Sequence, residues 1–226
     1  MTAMLASVNS LAEAQLVVGC QVDVVDLKQP QQGALGALSL AEVVEIVAAL
    51  PEQTVVSATI GDLPMQPELV CNAAQAMAGT GVDYVKIGLF PEGDSLICIK
   101  ALAPLATKQA LIAVLFADTQ PDFGLLQSLA QSGFRGVMLD TMDKQCGSLP
   151  QILTMNQLGQ FVGMAKQEGL VTGLAGSLRM ADVDDLLWLN ADYLGFRGAL
   201  CSQHQRTAGL AVAQVMAIRE RLAASR

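Results

Sequence analysis

Three features of the sequence predict a (β/α)8 barrel, an α/β fold: eight short apolar segments, helix-start signals between them, and charged side chains placed at the segments' ends. The apolar segments lie at residues 4–8, 22–28, 54–60, 84–90, 110–118, 135–141, 171–178 and 193–200. Hydrophobic residues make up 52% of the chain and mean hydropathy is +0.44. A membrane span would need about 18 consecutive apolar residues. Here Asp, Lys, Gly or Gln interrupts every apolar run sooner, so a membrane partner is not expected. A parallel sheet buried on both faces explains the same composition, because its strands read as continuous apolar runs.

The elements follow in order. After the first strand, Ser10-Leu11-Ala12-Glu13 is a capping box that opens a helix, and Gly19 marks the helix end. After the second, Ser39-Leu40-Ala41-Glu42 repeats the device. Pro67-Glu68 starts the third helix and Asp122 the fifth. Gly79, Gly133 and Gly169 close three more helices, at positions where the left-handed conformation favours glycine. The last helix begins near Ala208 and runs to the C-terminus. Strands alternating with helices mean parallel βαβ units, and eight such units close into a barrel. A doubly wound open sheet is the alternative. It carries a Gly-rich phosphate fingerprint after its first strand, where this chain has Ser7-Val8-Asn9-Ser10. No Pro/Ser-rich linker divides the chain, so residues 1–226 read as one catalytic domain.

The net charge of −8, with no Lys/Arg run, argues against nucleic acid as a partner. The N-terminus lacks the basic region of a signal peptide, and the five cysteines are scattered, which together point to reduced thiols and a cytoplasmic location. Cys20, Cys71 and Cys201 read as core filler, as does Trp188 within Leu186-Leu187-Trp188-Leu189. His204 is the sole histidine; a His-rich metal site is excluded and the residue reads as surface or loop filler. The apolar composition hints at helix faces buried beyond one core, hence a homo-oligomer.

Side-chain alternation locates the chemistry. On a strand, residues two apart share a face. Asp26 and Lys28 therefore oppose Val25 and Leu27, Lys86 opposes Val85 and Ile87, and Asp140 opposes Val137 and Leu139. The apolar faces must meet the helices, so the charged faces point into the barrel. Alternate strands share interior layers, so Asp26, Lys28, Lys86 and Asp140 converge at the C-terminal mouth, with Lys144 just beyond strand six. Structural ion pairs, Lys28 with Asp26 and Lys86 with Asp140, are one reading. Buried charge is seldom retained for stability alone. The other reading is an amine nucleophile: neighbouring ammonium groups and a dry mouth lower a lysine pKa from about 10.4 by roughly 3 units, and a neutral amine attacks carbonyls to give a Schiff base. Ser57 and Thr59, on one face of strand three, either bind substrate or fill the interior, and Asp118 is either a cap or a site residue.

Ala175-Gly176-Ser177 and Gly195-Phe196-Arg197-Gly198 close strands seven and eight, where barrel enzymes often bind phosphate through backbone N–H groups. Gly176, Ser177 and Gly198 are candidate backbone ligands, and Arg197 would add a charge-assisted fork.

Six motifs in order resemble one family closely. Asp26-Leu27-Lys28-Gln29-Pro30 with Gly33-Ala34-Leu35-Gly36-Ala37 is the first, and Ser57-Ala58-Thr59-Ile60-Gly61-Asp62-Leu63-Pro64 the second. Asp83-Tyr84-Val85-Lys86-Ile87-Gly88-Leu89, Met138-Leu139-Asp140-Thr141, Leu174-Ala175-Gly176-Ser177 and Arg197-Gly198-Ala199 follow. They are similar to those of (5-formylfuran-3-yl)methyl phosphate synthase, also called 4-(hydroxymethyl)-2-furancarboxaldehyde-phosphate synthase. The resemblance implies a lyase of methanofuran biosynthesis that joins two glyceraldehyde 3-phosphate molecules, one first isomerised to dihydroxyacetone phosphate. It also implies Lys28 as the Schiff-base residue, Lys86 as proton acceptor, and Asp26, Asp140 and Lys144 as supporting acid–base or charge-balancing groups. No cofactor or metal is expected, because the iminium itself serves as electron sink. A Schiff-base aldolase acting on another phosphorylated aldehyde and a non-catalytic phosphometabolite-binding barrel are the competing readings.

Overall fold

A computed structural model describes residues 2–224. Eight parallel strands form a closed barrel in sequence order. The elements are β1 (Ala3–Val8), α1 (Leu11–Gly19), β2 (Val24–Leu27), α2 (Leu40–Ala49), β3 (Val56–Thr59), α3 (Pro67–Ala78), β4 (Tyr84–Gly88), α4 (Ser95–Ala106) and β5 (Ala110–Phe116). They continue with α5 (Leu125–Gln131), β6 (Gly136–Asp140), a short α6 (Leu149–Ile152), α7 (Met155–Gln167), β7 (Val171–Leu174), α8 (Val183–Leu187), β8 (Tyr193–Phe196) and α9 (Val212–Ala224). The expected strands are all present, most with shorter ends, because the residues beyond them turn into the loops of the mouth. Among the described residues no helix is long and apolar enough to cross a membrane.

Alternation along each strand divides the apolar side chains into two cores. The outer one, between strands and helices, takes in Val25, Leu27, Val85, Ile87, Val137 and Leu139. The inner one fills the barrel with Leu5, Val24, Ile112, Val114, Phe116 and Met138. Met138 lies where β7 and β8 present glycines: a Cβ at Gly173 would come within 2.5 Å of its Cγ, and one at Gly195 within 3.6 Å of its Cε. Ala34 and Leu35, from the loop after β2, fold over this inner core beside the Phe90–Phe116 ring pair.

The capping signals hold with three amendments, the first at α5, which begins at Leu125 while the Asp122 carboxylate accepts from Gly124 N instead of capping the helix. Ser39 and Glu42 close a complete capping box on α2. Ser10 accepts from Glu13 N, but the Glu13 carboxylate turns away from the box to Asn9 N and to Arg197. Gly133 and Gly169 adopt positive φ at the ends of α5 and α7 as expected. After α1 and α3 the left-handed position falls on Gln21 and Gly81 instead of Gly19 and Gly79, each helix running about as far as expected before the chain reverses. The last helix starts at Val212, four residues after Ala208, because the intervening segment folds back on residues 200–202 of the loop after β8. Cys20 and Cys201 are buried and Cys71 is half-buried.

Trp188 is not in the core: it is 85% exposed. The short α8 directs Val183 and Leu186 inward, three residues apart, and Trp188, two residues on, falls on the opposite side.

The N-terminal face of the barrel carries a repeated latch. Asp23, Asp83 and Asp192, each next to the start of an even-numbered strand, accept from the strand neighbour's leading amide: Met4 N at 2.7 Å, Val56 N at 2.7 Å and Thr172 N at 2.8 Å. The corresponding position before β6 is Arg135.

Candidate active site

The C-terminal ends of the strands open on a cavity of about 480 Å³ lined by Ser7, Lys28, Lys86, Asp140, Lys144 and the loops after β7 and β8. That is within the range of roughly 300–1,000 Å³ typical of small-molecule sites.

Alternation brings the predicted charges together, but the pairing is the reverse of the expected ion pairs. Lys86 Nζ lies 2.9 Å from Asp26 Oδ1, and Lys28 Nζ lies 3.9 Å from Asp140 Oδ2. Adjacent strands stagger around the barrel, so Lys28, two residues above Asp26 and just past the end of β2, reaches Asp140 of β6 while Asp26 below it meets Lys86 of β4. Asp26 is fully buried and holds three donors: Lys86 and the Ser57 hydroxyl (2.7 Å) on Oδ1, and the Ser7 hydroxyl (2.7 Å) on Oδ2. Burial alone would raise its pKa; Lys86, Lys28 and the Ser57 hydrogen bond outweigh that and hold it below the usual carboxylate range. Asp26 is therefore a fixed anion.

Asp140 is shared. Lys144 Nζ binds its Oδ1 at 2.6 Å, and the Thr141 amide donates to the same oxygen at 2.7 Å. Burial again opposes ionisation, and Lys144 and Lys28 overcome it, so Asp140 too stays ionised far below its ordinary range. Lys144 also donates to the Thr141 carbonyl. The loop that carries it is pinned by Asp118, whose carboxylate accepts from Met142 N (2.8 Å) and Asp143 N (2.7 Å). Asp118 thus acts as a loop anchor.

Lys28 is held least of the three lysines. Its nearest partners are the Ala34 carbonyl at 3.4 Å and Asp140 at 3.9 Å, while only 6% of the residue is exposed. Burial lowers its pKa to about 8; Asp140 resists the shift, and Lys144 and Lys86 add to it. An amine so placed has a substantial neutral fraction near neutral pH. The Ala34 carbonyl is itself set from outside: Asp62 accepts from Ala34 N at 2.8 Å and Leu35 N at 2.7 Å. Gly33, at φ +116°, lets this loop lie directly against the Asp62 carboxylate, where a Cβ would collide.

At the phosphate end, Gly176 (φ +108°) and Ser177 (φ +49°) bend the chain after β7, and their N–H groups, with that of Gly198, have no protein acceptor among the described residues. All three line the cavity. The expected fork at Arg197 is corrected. Its five N–H donors are already engaged, by Arg206 O (2.8 Å), Ser7 O (3.1 Å), Glu13 Oε2 (2.5 Å), Glu13 Oε1 (3.3 Å) and Ala208 O (3.0 Å). Arg197 fastens the β8 loop to α1. Nor do the β3 hydroxyls face a ligand: Ser57 donates to Asp26 and the fully buried Thr59 to Gly36 O at 3.0 Å. Both belong to the interior. His204 is exposed at the rim of the cavity. Among the described residues no three His, Cys, Asp or Glu side chains cluster as metal ligands.

Three residues of the site were not singled out from sequence: Ser7, Glu13 and Asp62. Ser7 had a usable signal, since it pairs in register with Asp26 across β1 and β2. Glu13 was hidden by its resemblance to an ordinary capping residue, and an exposed loop Asp such as Asp62 carries no periodic signal.

A parallel eight-stranded barrel that gathers lysines and carboxylates around a cavity at its C-terminal face has the architecture of a (β/α)8-barrel enzyme. Solved structures agree on the fold: phosphoribosyl anthranilate isomerase from Thermus thermophilus superposes with a TM-score of 0.72 at 14% identity, covering 100% of both chains. A 3-hexulose-6-phosphate synthase gives 0.67 at 17% identity over 96% of this chain and 99% of its own. Sequence takes the assignment further: residues 4–219 match the family model of 4-HFC-P synthase, and the chain belongs to that family. The (5-formylfuran-3-yl)methyl phosphate synthase of Methanopyrus kandleri is 33% identical over 198 residues, covering 82% of this chain and 84% of its own. That of Methanococcus aeolicus is 31% identical over 218 residues, covering 91% and 93%. A Methylorubrum extorquens protein that carries the same name provisionally is 37% identical over 212 residues, covering 94% and 88%.

Proposed function

We propose that this chain joins two glyceraldehyde 3-phosphate molecules into (5-formylfuran-3-yl)methyl phosphate through a Schiff base at Lys28, as a step of methanofuran biosynthesis. The observation that carries the reading is the buried, loosely held Lys28 amine, with its pKa lowered to about 8, inside a chain of this family.

One triose phosphate is isomerised to dihydroxyacetone phosphate. The neutral Lys28 amine attacks its carbonyl and water leaves, giving an iminium that acidifies the adjacent carbon. Lys86 first gives a proton to the departing hydroxyl and, as the amine so formed, accepts the proton from that carbon; Asp26, 2.9 Å away and ionised, balances its charge before and after. The resulting enamine attacks the aldehyde of the second triose phosphate. Ring closure and eliminations follow, so that two triose phosphates give the furan product, one phosphate and two waters. Asp140 and Lys144 balance charge beside Lys28, and the free N–H groups of Gly176 and Ser177 receive its phosphate. No resident cofactor is called for: the iminium is the electron sink.

Incubation with glyceraldehyde 3-phosphate should produce the furan aldehyde chromophore, and borohydride added during turnover should leave a triose phosphate adduct on the Lys28 peptide. An unmodified Lys28 peptide under turnover conditions rejects the Schiff base. A trapped adduct without furan product points to aldol chemistry on a different phosphorylated aldehyde.

A further inference from the structure

Arg206 is a guanidinium at the mouth whose charge no neighbour neutralises. It is half-buried, lines the cavity, and makes no ion pair among the described residues. Its one side-chain hydrogen bond there runs from Nη2 to the Gly33 carbonyl at 2.8 Å, linking the loop after β8 to the loop after β2. That leaves most of its donors free. Burial makes the charged guanidinium harder to keep, Asp140 and, more weakly, Asp62 steady it without pairing with it, and Arg197 nearby opposes it. Arg197 itself has no donor left to offer a ligand. A partly desolvated cation without a counter-ion, beside a cavity that already contains three lysines, is poised for an anion that arrives with the substrate.

Position says which anion. Gly176 and Ser177 stand on the β7 side of the mouth, with the Ser177 hydroxyl bonded to the Lys144 carbonyl at 3.4 Å. Arg206, tied to Gly33, stands on the β2 side, beside the loop that sets the Ala34 carbonyl against Lys28. A cavity of about 480 Å³ exceeds what one three-carbon phosphate fills.

We infer that Arg206 anchors the phosphate monoester of the second, electrophilic triose phosphate, the one that arrives once Lys28 is occupied. The inference rests on the condensation reading above. It assigns the first phosphate to the Gly176 and Ser177 amides after β7 and the second to Arg206 with the Gly198 amide that packs beside it, so that the aldehyde approaches the Lys28 enamine from across the mouth.

The test uses Arg206→Gln, whose amide N–H can donate to the Gly33 carbonyl but carries no charge, and Arg206→Lys. Two measurements are made on the full-length protein. The first is borohydride trapping of dihydroxyacetone phosphate on Lys28, an event needing one phosphate only. The second is calorimetric binding of inorganic phosphate to the enzyme already carrying that reduced adduct. Arg206→Gln should trap as wild type does, while its adduct binds inorganic phosphate about 30-fold more weakly, the loss expected for a charge-assisted fork; Arg206→Lys should recover part of it. The KM for glyceraldehyde 3-phosphate in furan formation should rise in parallel. Equal phosphate affinity in the wild-type and Gln adducts overturns the inference, and so does loss of trapping in Arg206→Gln, which would place the first phosphate there. If the wild-type adduct binds phosphate through Arg206 yet the enzyme yields no furan, the condensation reading fails and the anion site stands.

Discussion

At the scale of single residues, the site separates three lysines by how firmly each is held. Lys86 and Lys144 sit at 2.9 and 2.6 Å from carboxylates, and Lys28 at 3.9 Å. Only the loosely held one has the freedom to become a nucleophile. With a pKa of about 8, its neutral form should grow as pH rises through 8, so the initial rate of borohydride-trappable adduct should climb between pH 7 and 9. Lys144→Met removes a cation beside Lys28 and leaves Asp140 to Lys28 alone. Both changes favour the ammonium, so the trapping profile should move to higher pH; an unmoved or lowered midpoint contradicts the charge cluster described here. Strand alternation was sufficient to find Asp26, Lys28, Lys86 and Asp140, because the period of two depends only on which face must meet the helices. It was not sufficient to pair them. Pairing depends on strand stagger, which joins Lys86 to Asp26 and Lys28 to Asp140. Arg197 was legible as a mouth residue and not in its role, since its partner Glu13 lies 184 positions away and nothing local connects the two.

At the scale of elements, the loops at the mouth are set by carboxylates from neighbouring units: Asp62 fixes the loop after β2, Asp118 the loop after β6, and Glu13 the loop after β8 through Arg197. The opposite face uses Asp23, Asp83 and Asp192 to clasp the leading amides of β1, β3 and β7. These two sets have different consequences. Asp83→Ala leaves Val56 N without its acceptor and should lower stability by about 1 kcal/mol, ~3 °C in Tm, while adduct formation at Lys28 stays as in wild type. Thermal unfolding and trapping measured on the same sample check both halves, and a loss of trapping at full folding would show that the two faces are coupled. Most helix starts were legible because a capping box is a local, four-residue signal. The latches were not, since they join residues some 19 to 27 positions apart through strand neighbours. Trp188 misled for a related reason: a run of apolar letters does not reveal the phase of a helix as short as α8.

At the scale of the whole molecule, the barrel keeps an ammonium in a place that disfavours it. The folded-state pKa of Lys28, about 8, lies below its ordinary 10.5, so the unfolded chain binds the extra proton more readily between those values. Stability therefore rises with pH across that window, and below pH 8 Lys28 is a net burden on the fold. Lys28→Met should abolish trapping yet raise stability at pH 7 by on the order of 1 kcal/mol, with the gain shrinking toward pH 10. Unfolding curves at the two pH values test this, and a lower Tm than wild type at pH 7 would count against it. The fold class itself was legible because eight βα units leave few ways to cover a sheet on both faces. What the strand pattern did not disclose was the interior floor, where Met138 rests on the glycines of β7 and β8. Beneath it lies a small void of about 30 Å³ bounded by Leu5, Val24 and Ile112. Leu5 and Lys86 line both this void and the cavity at the mouth, so these two side chains form the partition between them. A smaller side chain at Leu5 would merge the two spaces, deepening the mouth without disturbing a single charged group.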